Sequence, residues 1–495
     1  MGVRLSQRRK AVFMLMLKQI LLYLPAQVLG PLCQFAAAVF WTHYLAPSDY
    51  GILAYILAAQ DLTLLLSIQW WSLYTMRFFR RLQLAGQLDD YRQTDLAIVL
   101  GSTVIQIVAA VVILSWMSEC TPSLVSATSI FFITRVVLSH YGERARAMER
   151  IGVYTIAQMS SSVVGSLVTF PVLLFVSTRP EALVWSLAVP QAVALALVVY
   201  LLDVPTRLLR VDRELVLSGL RYAFPLLLSG LFMWLCVNGI RFAVEWKLGL
   251  AAVGLISVGW GLGNRLASVV AMLGVIAAFP RAVLHFEKGD AEAALAQVSA
   301  GGVVLFALMA PTVVGSGLIA SSLVEVFIAQ EFRAVTALVL PFAVFTAGVR
   351  AMRLHFLDQV QLLRERTMTT LAINCIDVVS TTIGCLIGVV GWDVYGAVLG
   401  AALGSILPVG FSAFFAVKMK LQLPILYMLR ICLATAIMAG GILLLPPLSG
   451  IKGLLIVVPM GAAIYIFASA ILFLSEIRSL LSQRRSAALA SGGQG

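Results

Sequence analysis

Six ionisable residues, Asp61, Arg135, Arg241, Glu245, Arg265 and Asp377, fall within long apolar runs of this 495-residue chain. A charge at such a depth is expensive and ordinarily faces a bundle interior or a water-filled path. Asn238, Arg241 and Glu245 follow one another at spacings of three and four, so a helix presents them on one face. Asn264 adjoins Arg265, Asn374 lies one turn before Asp377, and Gln60 flanks Asp61. The planar guanidinium of arginine stays charged and holds phosphate or carboxylate oxygens through paired N–H bonds, so internal arginines favour an anionic cargo over an organic cation. Arg265 has no acid within four residues, which favours a lining role, whereas Arg241 has Glu245 one turn away as a local salt-bridge partner. Asp61, Asp377 and Glu245 are candidates for neutralising an arginine, for binding H+ or Na+, or for stabilising the bundle. Asn238, Asn264 and Asn374 are candidate sugar partners or interhelical contacts. The chain has no Walker ATP site, Gly-rich nucleotide loop or zinc-protease motif, so no cofactor is expected. Energy would come from an ion gradient, from consumption of the cargo or from a partner.

The elements that must position these groups are membrane helices. Hydrophobic residues make up 61% of the chain and charged residues 12%, about half the charged share of a soluble domain. A helix crossing the hydrocarbon core needs roughly 20 apolar residues, and about fourteen segments supply them. The spans read as 18–41, 51–74, 94–116, 122–141, 153–176, 181–203, 223–246, 252–276, 299–321, 334–352, 368–390, 394–417, 428–446 and 453–475.

Basic residues fix the orientation, because short cytoplasmic joins are enriched in Lys and Arg. With both termini inside, the inner segments take the N-terminal run Arg4 to Lys18, then Arg77, Arg80, Arg81 and Arg92, then Arg144, Arg146 and Arg150. Later inner segments hold Arg207 to Arg221, Arg281 and Lys288, Arg350 to Arg366, Lys418 and Lys420, and the basic tail. The outer joins keep only Arg179, Lys247, Arg333 and Lys452. The net charge of +12 is thus dispersed over the inner joins, which implies contact with anionic lipid and no nucleic-acid partner. The first span reads as a retained helix and not as a cleaved signal.

The organisation that follows is an all-α polytopic membrane protein with an N-terminal lobe (1–203), an inter-lobe linker (204–222) with amphipathic character, a C-terminal lobe (223–420), two further helices (421–480) and a disordered tail (481–495). The polar stretch at about 77–93 reads as an inner join. The cysteines form no CxxC pair and read as apolar filler. His43, His140, His285 and His355 sit at or beyond predicted helix ends without metal-ligand spacing. Gly396, Gly400 and Gly404, and again Gly259 and Gly263, make small-residue stripes that bring backbones together within a chain or between chains. Pro25, Pro31, Pro171 and Pro190 can bend their helices.

The opening stretch from Leu21 to Gln27, the run from Phe40 to Tyr44, and above all the turn Leu45, Ala46, Pro47, Ser48, Asp49, Tyr50, Gly51 resemble the first helix and following turn of oligosaccharide flippases. Those flippases belong to the multidrug/oligosaccharidyl-lipid/polysaccharide exporter superfamily. A second match runs from Ile240 and Arg241 through Leu248 and Gly249 to Val253, Gly254 and Leu255, with Pro280 further on; the family's acid before the arginine is absent here. The resemblance implies two six-helix lobes around a central cavity plus two C-terminal helices. It also implies a bacterial inner-membrane exporter that carries a polyprenyl-diphosphate-linked oligosaccharide to the periplasmic leaflet, for capsule, exopolysaccharide or O-antigen assembly. The expected partners are that lipid-linked sugar, membrane lipids, and polysaccharide polymerase and export machinery. Arg265, Arg241 and Arg135 are then expected to hold the diphosphate while the lobes rock. Two other functions compete: an ion-coupled antiporter of drugs or small amphiphiles, and a polysaccharide polymerase or ligase, for which the short outer joins leave little catalytic material.

Overall fold

The computed structural model describes residues 29–115, 121–204, 211–275, 278–364, 366–446, 450–476 and 478. The N-terminal basic run, residues 18–28 of the first span with Pro25, Cys120, Arg207 and Arg210, and the tail from 481 onward lie outside the described residues, as does the side chain of Pro280.

We name the helices α1 (Leu29–Thr42), α2 (Pro47–Leu84), α3 (Leu88–Ser115), α4 (Pro122–Ala147), α5 (Ile151–Phe175), α6 (Pro180–Leu202) and α7 (Arg213–Val275). They continue with α8 (Ala278–Glu287), α9 (Ala291–Phe327), α10 (Gln330–Leu363), α11 (Met368–Lys418), α12 (Ile425–Leu443) and α13 (Gly450–Leu472). Among the described residues, 11 helices are long and apolar enough to cross a membrane. Their outer faces are apolar: on α3, Leu100, Val104, Val108, Val111 and Val112 are exposed at helical spacing. Water would not tolerate that stripe and hydrocarbon requires it.

Two of the long helices turn back on themselves. In α7, Gly249 adopts φ +80°, a left-handed conformation that glycine reaches without a side-chain clash. Arg241 Nε on one arm then reaches Ser257 Oγ on the other at 3.1 Å, though 16 residues of straight helix would part them by about 24 Å. In α11 the reversal falls at Trp392 and Asp393. The arms of α11 meet through the glycine stripe: a Cβ on Gly396 would lie 2.0 Å from the Gly388 carbonyl oxygen, and one on Gly400 would lie 1.9 Å from that of Gly384. The stripe therefore packs within one chain, as does Gly263 against Ala343 of α10.

By contact density the chain divides into two compact units, Met1–Val258 and Gly259–Gly495. In the first, α4 packs against α6 and α3, and α2 lies against α4. In the second, α9 packs against α10, and the last two helices, α12 and α13, pack on each other and on α9. Arg430 of α12 binds Glu476 at 2.5 Å beneath the stacked rings of Tyr427 and Phe473.

Several helices run further than hydropathy alone predicts. The stretch 77–93 is mostly helical, because α2 continues to Leu84 and α3 begins at Leu88. Helix α4 continues to Ala147, so His140 sits inside it and not at its end. Helix α10 continues past Arg350 and Arg353. These last charges do not end their helices because acids on neighbouring helices neutralise them. Among the described residues, three helices contain a π turn, at Leu65–Gln69 in α2, Ser160–Val164 in α5 and Arg353–Leu357 in α10. Such turns insert a residue into the helical ladder and recur at functional positions.

The two glycines of the family-like motifs meet. A Cβ on Gly51 would lie 2.0 Å from the Leu250 carbonyl oxygen, and one on Gly254 would lie 1.8 Å from that of Pro47. Gly51→Ala must separate two backbones and should lower stability by about 1–3 kcal/mol. Gly101→Ala on α3, with nothing within 4 Å, should leave it unchanged or slightly raised, and thermal unfolding of the two variants in one detergent measures the difference.

Candidate functional site

The internal charges sort into three groups that differ in burial. The first lies at the junction of α2, α3 and α4. Asp95 accepts four bonds: from Trp71 Nε1 at 2.7 Å, His140 Nε2 at 2.8 Å and Tyr91 OH at 3.2 Å on Oδ1, and from Arg144 Nη1 at 2.8 Å on Oδ2. Asp95, His140 and Arg144 have no exposed surface. The rings of Tyr91 and Tyr141 each stand 5.8 Å from the Arg144 guanidinium carbon, which places its positive charge over two aromatic faces.

The second group joins α10 to α11. Asp377 Oδ2 takes Arg350 Nε and Arg353 Nη2, both at 3.0 Å, while Oδ1 takes Arg350 Nη2 at 3.2 Å and Thr381 Oγ1 at 3.0 Å. Arg353 also donates to Asn374 Oδ1 at 2.8 Å and pairs with Asp358 at 3.3 Å, whose other oxygen accepts from Ser412. Two arginines and two aspartates thus close on each other in the core of one unit. Asn374 and Asp377, expected from sequence near the transport path, belong to this closed cluster.

In the third group, Asp61 on α2 lies within electrostatic reach of both Arg135 on α4 and Arg241 on α7. Unlike the clustered acids, Asp61 is exposed. Arg241 donates to Asn238 Oδ1 as well as to Ser257, and Asn238 in turn bonds back to the Trp234 carbonyl at 3.3 Å. Arg135, half-buried, also lines a small polar cleft with Ser139, Glu143, Gln158 and Ser161. The fold therefore gathers Asp61, Arg135, Asn238 and Arg241 from three helices. Glu245, one turn beyond Arg241, is half-buried within electrostatic range of Tyr55.

Arg265 and Asn264, also half-buried, lie in the second unit; the Asn264 amide donates to the Trp260 carbonyl at 2.8 Å. Among the described residues, no group of three or more His, Cys, Asp or Glu side chains is placed to hold a metal ion.

Sequence reading did not single out Asp95 or the burial of His140 and Arg144. Each stands close to a predicted span end, where charge is ordinary. The available signal was pairing across spans: an acid near the start of one and a base near the end of the next.

No protein-family model and no curated protein matches the sequence. Solved structures match in fold. The lipid II flippase MurJ, in an inward closed conformation, has TM-score 0.72 and 13% identity over 92% of this chain and 100% of that one. An inward-facing multidrug resistance MATE family transporter of the MOP superfamily has TM-score 0.57 and 14% identity, over 79% of this chain and 94% of its own. A mutant of the Vibrio cholerae MATE transporter VcmN gives TM-score 0.52 and 16% identity over 83% of this chain and 98% of that one. The likeness is one of fold: the chain shares the all-α polytopic architecture of these structures.

The closed and open groups should respond differently to mutation. Removing one partner of a buried ion pair leaves an uncompensated charge and costs about 3–5 kcal/mol. Asp377→Ala and Asp95→Ala are therefore expected to lower the yield of folded, monodisperse protein severalfold. Asp61→Ala, at a water-accessible acid, should leave yield near wild type, as size-exclusion chromatography of the three variants from equal membranes would measure.

Proposed function

We propose that the chain is a flippase that moves a polyprenyl-diphosphate-linked oligosaccharide from the cytoplasmic to the periplasmic leaflet for cell-surface polysaccharide assembly. The observation that carries this reading is the convergence of Arg135 and Arg241 on Asp61 at membrane depth. Two guanidiniums stand near one exposed carboxylate, and the fork of each matches phosphate oxygens. The full-length likeness in fold to a lipid II flippase supports a lipid-linked cargo. Translocation makes and breaks no covalent bond; the physical task is to keep a charged head group hydrated while its polyprenyl tail stays in lipid.

In this reading fourteen spans cross the inner membrane with both termini cytoplasmic. Residues 1–203 and 223–420 form the transport lobes that alternate access, 204–222 links them, 421–480 adds two helices, and 481–495 is a tail. Arg135, Arg241 and Arg265 bind the diphosphate, and Asn238 and Asn264 offer amides to the sugar. Asp61 is the acid that exchanges partners, releasing its arginines to cargo and taking up H+ or Na+; Glu245 is the second acid on the α7 arm that carries Arg241. Asp377 and Asn374 brace the second unit through their buried bonds. Coupling to an ion gradient fits the likeness in fold to MATE transporters. Polysaccharide polymerase and export machinery would take over the delivered cargo.

Reconstitution tests the reading. Purified protein in proteoliposomes should move a fluorescent polyprenyl-diphosphate oligosaccharide between leaflets without ATP. A hydrogen bond to a charged group is worth about 1.5–3 kcal/mol, so Arg135→Ala, Arg241→Ala and Arg265→Ala should each slow movement about tenfold or more at unchanged protein content. Wild-type rates in all three variants would contradict the site. Movement of only soluble organic cations would point to a drug antiporter, and sugar-chain growth to a polymerase.

A further inference from the structure

The buried group around Asp95 contains an imidazole that the flippase reading does not use. Imidazole is the side chain whose ordinary titration falls between about pH 5 and 8. Its hydrogen bonds say where an added proton goes. Asp95 accepts from Trp71, His140 and Tyr91 on Oδ1 and from Arg144 on Oδ2, bonds that favour its charged form, and a carboxylate is the weaker base of the two groups. A proton entering the group therefore goes to the imidazole and not to the acid.

In neutral His140 the proton sits on Nε2, because the bare lone pair of the other tautomer would face the Asp95 carboxylate. Nδ1 then accepts from the Ser72 hydroxyl at 2.8 Å. Ser72 has a second acceptor within reach, the Ile68 carbonyl at 3.3 Å. A serine hydroxyl has one hydrogen, so it serves one acceptor at a time. When Nδ1 gains a proton it becomes a donor to Ser72 Oγ, and the hydroxyl hydrogen must turn to Ile68. No covalent bond changes beyond the new N–H, and the group moves from neutral (Asp95 with Arg144) to a net single positive charge.

Ile68 belongs to the π turn Leu65–Gln69 of α2, which begins four residues beyond Asp61. Side chains hold the neighbouring residue of that turn as well: Trp70 Nε1 donates to the Ser67 carbonyl at 3.1 Å, and Gln106 Nε2 to Ser67 Oγ at 2.9 Å. We propose that His140 is a proton-binding site whose occupancy, passed through the Ser72 hydroxyl to the Ile68 carbonyl, resets the π turn of the helix that carries Asp61.

Three helices supply the groups that face His140. From α3 it meets Asp95 directly and Tyr91 through that acid; from α2 it meets Ser72, with Trp71 beyond and Thr75 bonded to Tyr91 at 2.9 Å. On α4 itself, Tyr141 packs beside the ring, Arg144 shares the acid, and Glu143 is electrostatically coupled to the imidazole. Glu143 also lines the polar cleft that holds Arg135, Ser139 and Gln158, and it pairs with Arg146 at 3.6 Å. The cleft reaches Glu143, within one helical turn of a ring that has no exposed surface itself.

The transport consequence rests on the flippase reading, but the proton site does not. Hydrogen–deuterium exchange of the full-length protein, corrected for intrinsic rates, is followed for the peptide over residues 64–76 between about pH 5 and 8. Wild type should show a pH-dependent change in protection confined to the π turn. His140→Gln should abolish that change, and Ser72→Ala, which keeps the imidazole and removes only a hydroxyl, should abolish it too. If His140→Gln does not fold, Ser72→Ala alone decides. A wild-type profile without a pH step, or a step that survives in Ser72→Ala, would overturn the proposal. In proteoliposomes a proton gradient should accelerate cargo movement by wild type and not by Ser72→Ala. Failure of wild type to move any lipid-linked sugar would contradict the flippase reading alone, because the exchange measurement decides the proton site.

Discussion

Neutralising charge in a medium that does not solvate it is the constraint on which this protein depends. Unpaired ions in hydrocarbon are unaffordable, and a buried pair needs good geometry and further hydrogen bonds. Asp95 with Arg144, and Asp377 with Arg350 and Arg353, are held by multiple bonds at 2.7–3.3 Å contributed by several helices, while Arg144 Nε and Nη2 and Arg353 Nε are buried without an acceptor among the described residues. The same condition explains why α4 and α10 extend past charges that would otherwise mark their ends. Asp61, Arg135 and Arg241 instead stand next to accessible surface. In the proposed reading that exposure is what lets these arginines meet an anion.

Each closed cluster also adjoins an irregularity in a helix. Ile68, in the π turn of α2, is within reach of the Ser72 hydroxyl that binds His140, and Arg353 begins the π turn of α10 while binding Asp377 and Asp358. A π turn frees backbone groups from the regular ladder, and polar side chains nearby are what allow it to persist within apolar surroundings. Elsewhere the bundle gains its rigidity from backbone contact. Gly51 against Leu250, Gly254 against Pro47, and the facing glycines of α11 bring main chains closer than any side chain permits.

Much of this was legible in the sequence, and what was not had a physical reason. Hydropathy located the apolar segments because hydrocarbon thickness imposes a length, and the reversals at Gly249 and Trp392–Asp393 fall in the joins it left. The spacing of Asn238 and Arg241 placed them on one face, where they do bond. The partners were not legible: Asp61 with Arg135, or Arg350 with Asp377, are contacts between helices, and a period of 3.6 residues says nothing about which faces meet. Arg144 and Arg353 misled for a related reason. The bias that puts basic residues at inner ends does not tell a solvated arginine from one folded back onto an acid.

The central claim is that the arginines beside Asp61 select a diphosphate. Equilibrium binding of short isoprenyl diphosphate, monophosphate and alcohol to the purified protein, at several salt concentrations, tests it most directly. The account predicts tightest binding of the diphosphate, weakening as salt screens the charges. It also predicts weak binding of the alcohol, and loss of the preference when Arg135 and Arg241 are both replaced by alanine. Equal binding of all three ligands, or a diphosphate preference that survives the double replacement, would contradict it.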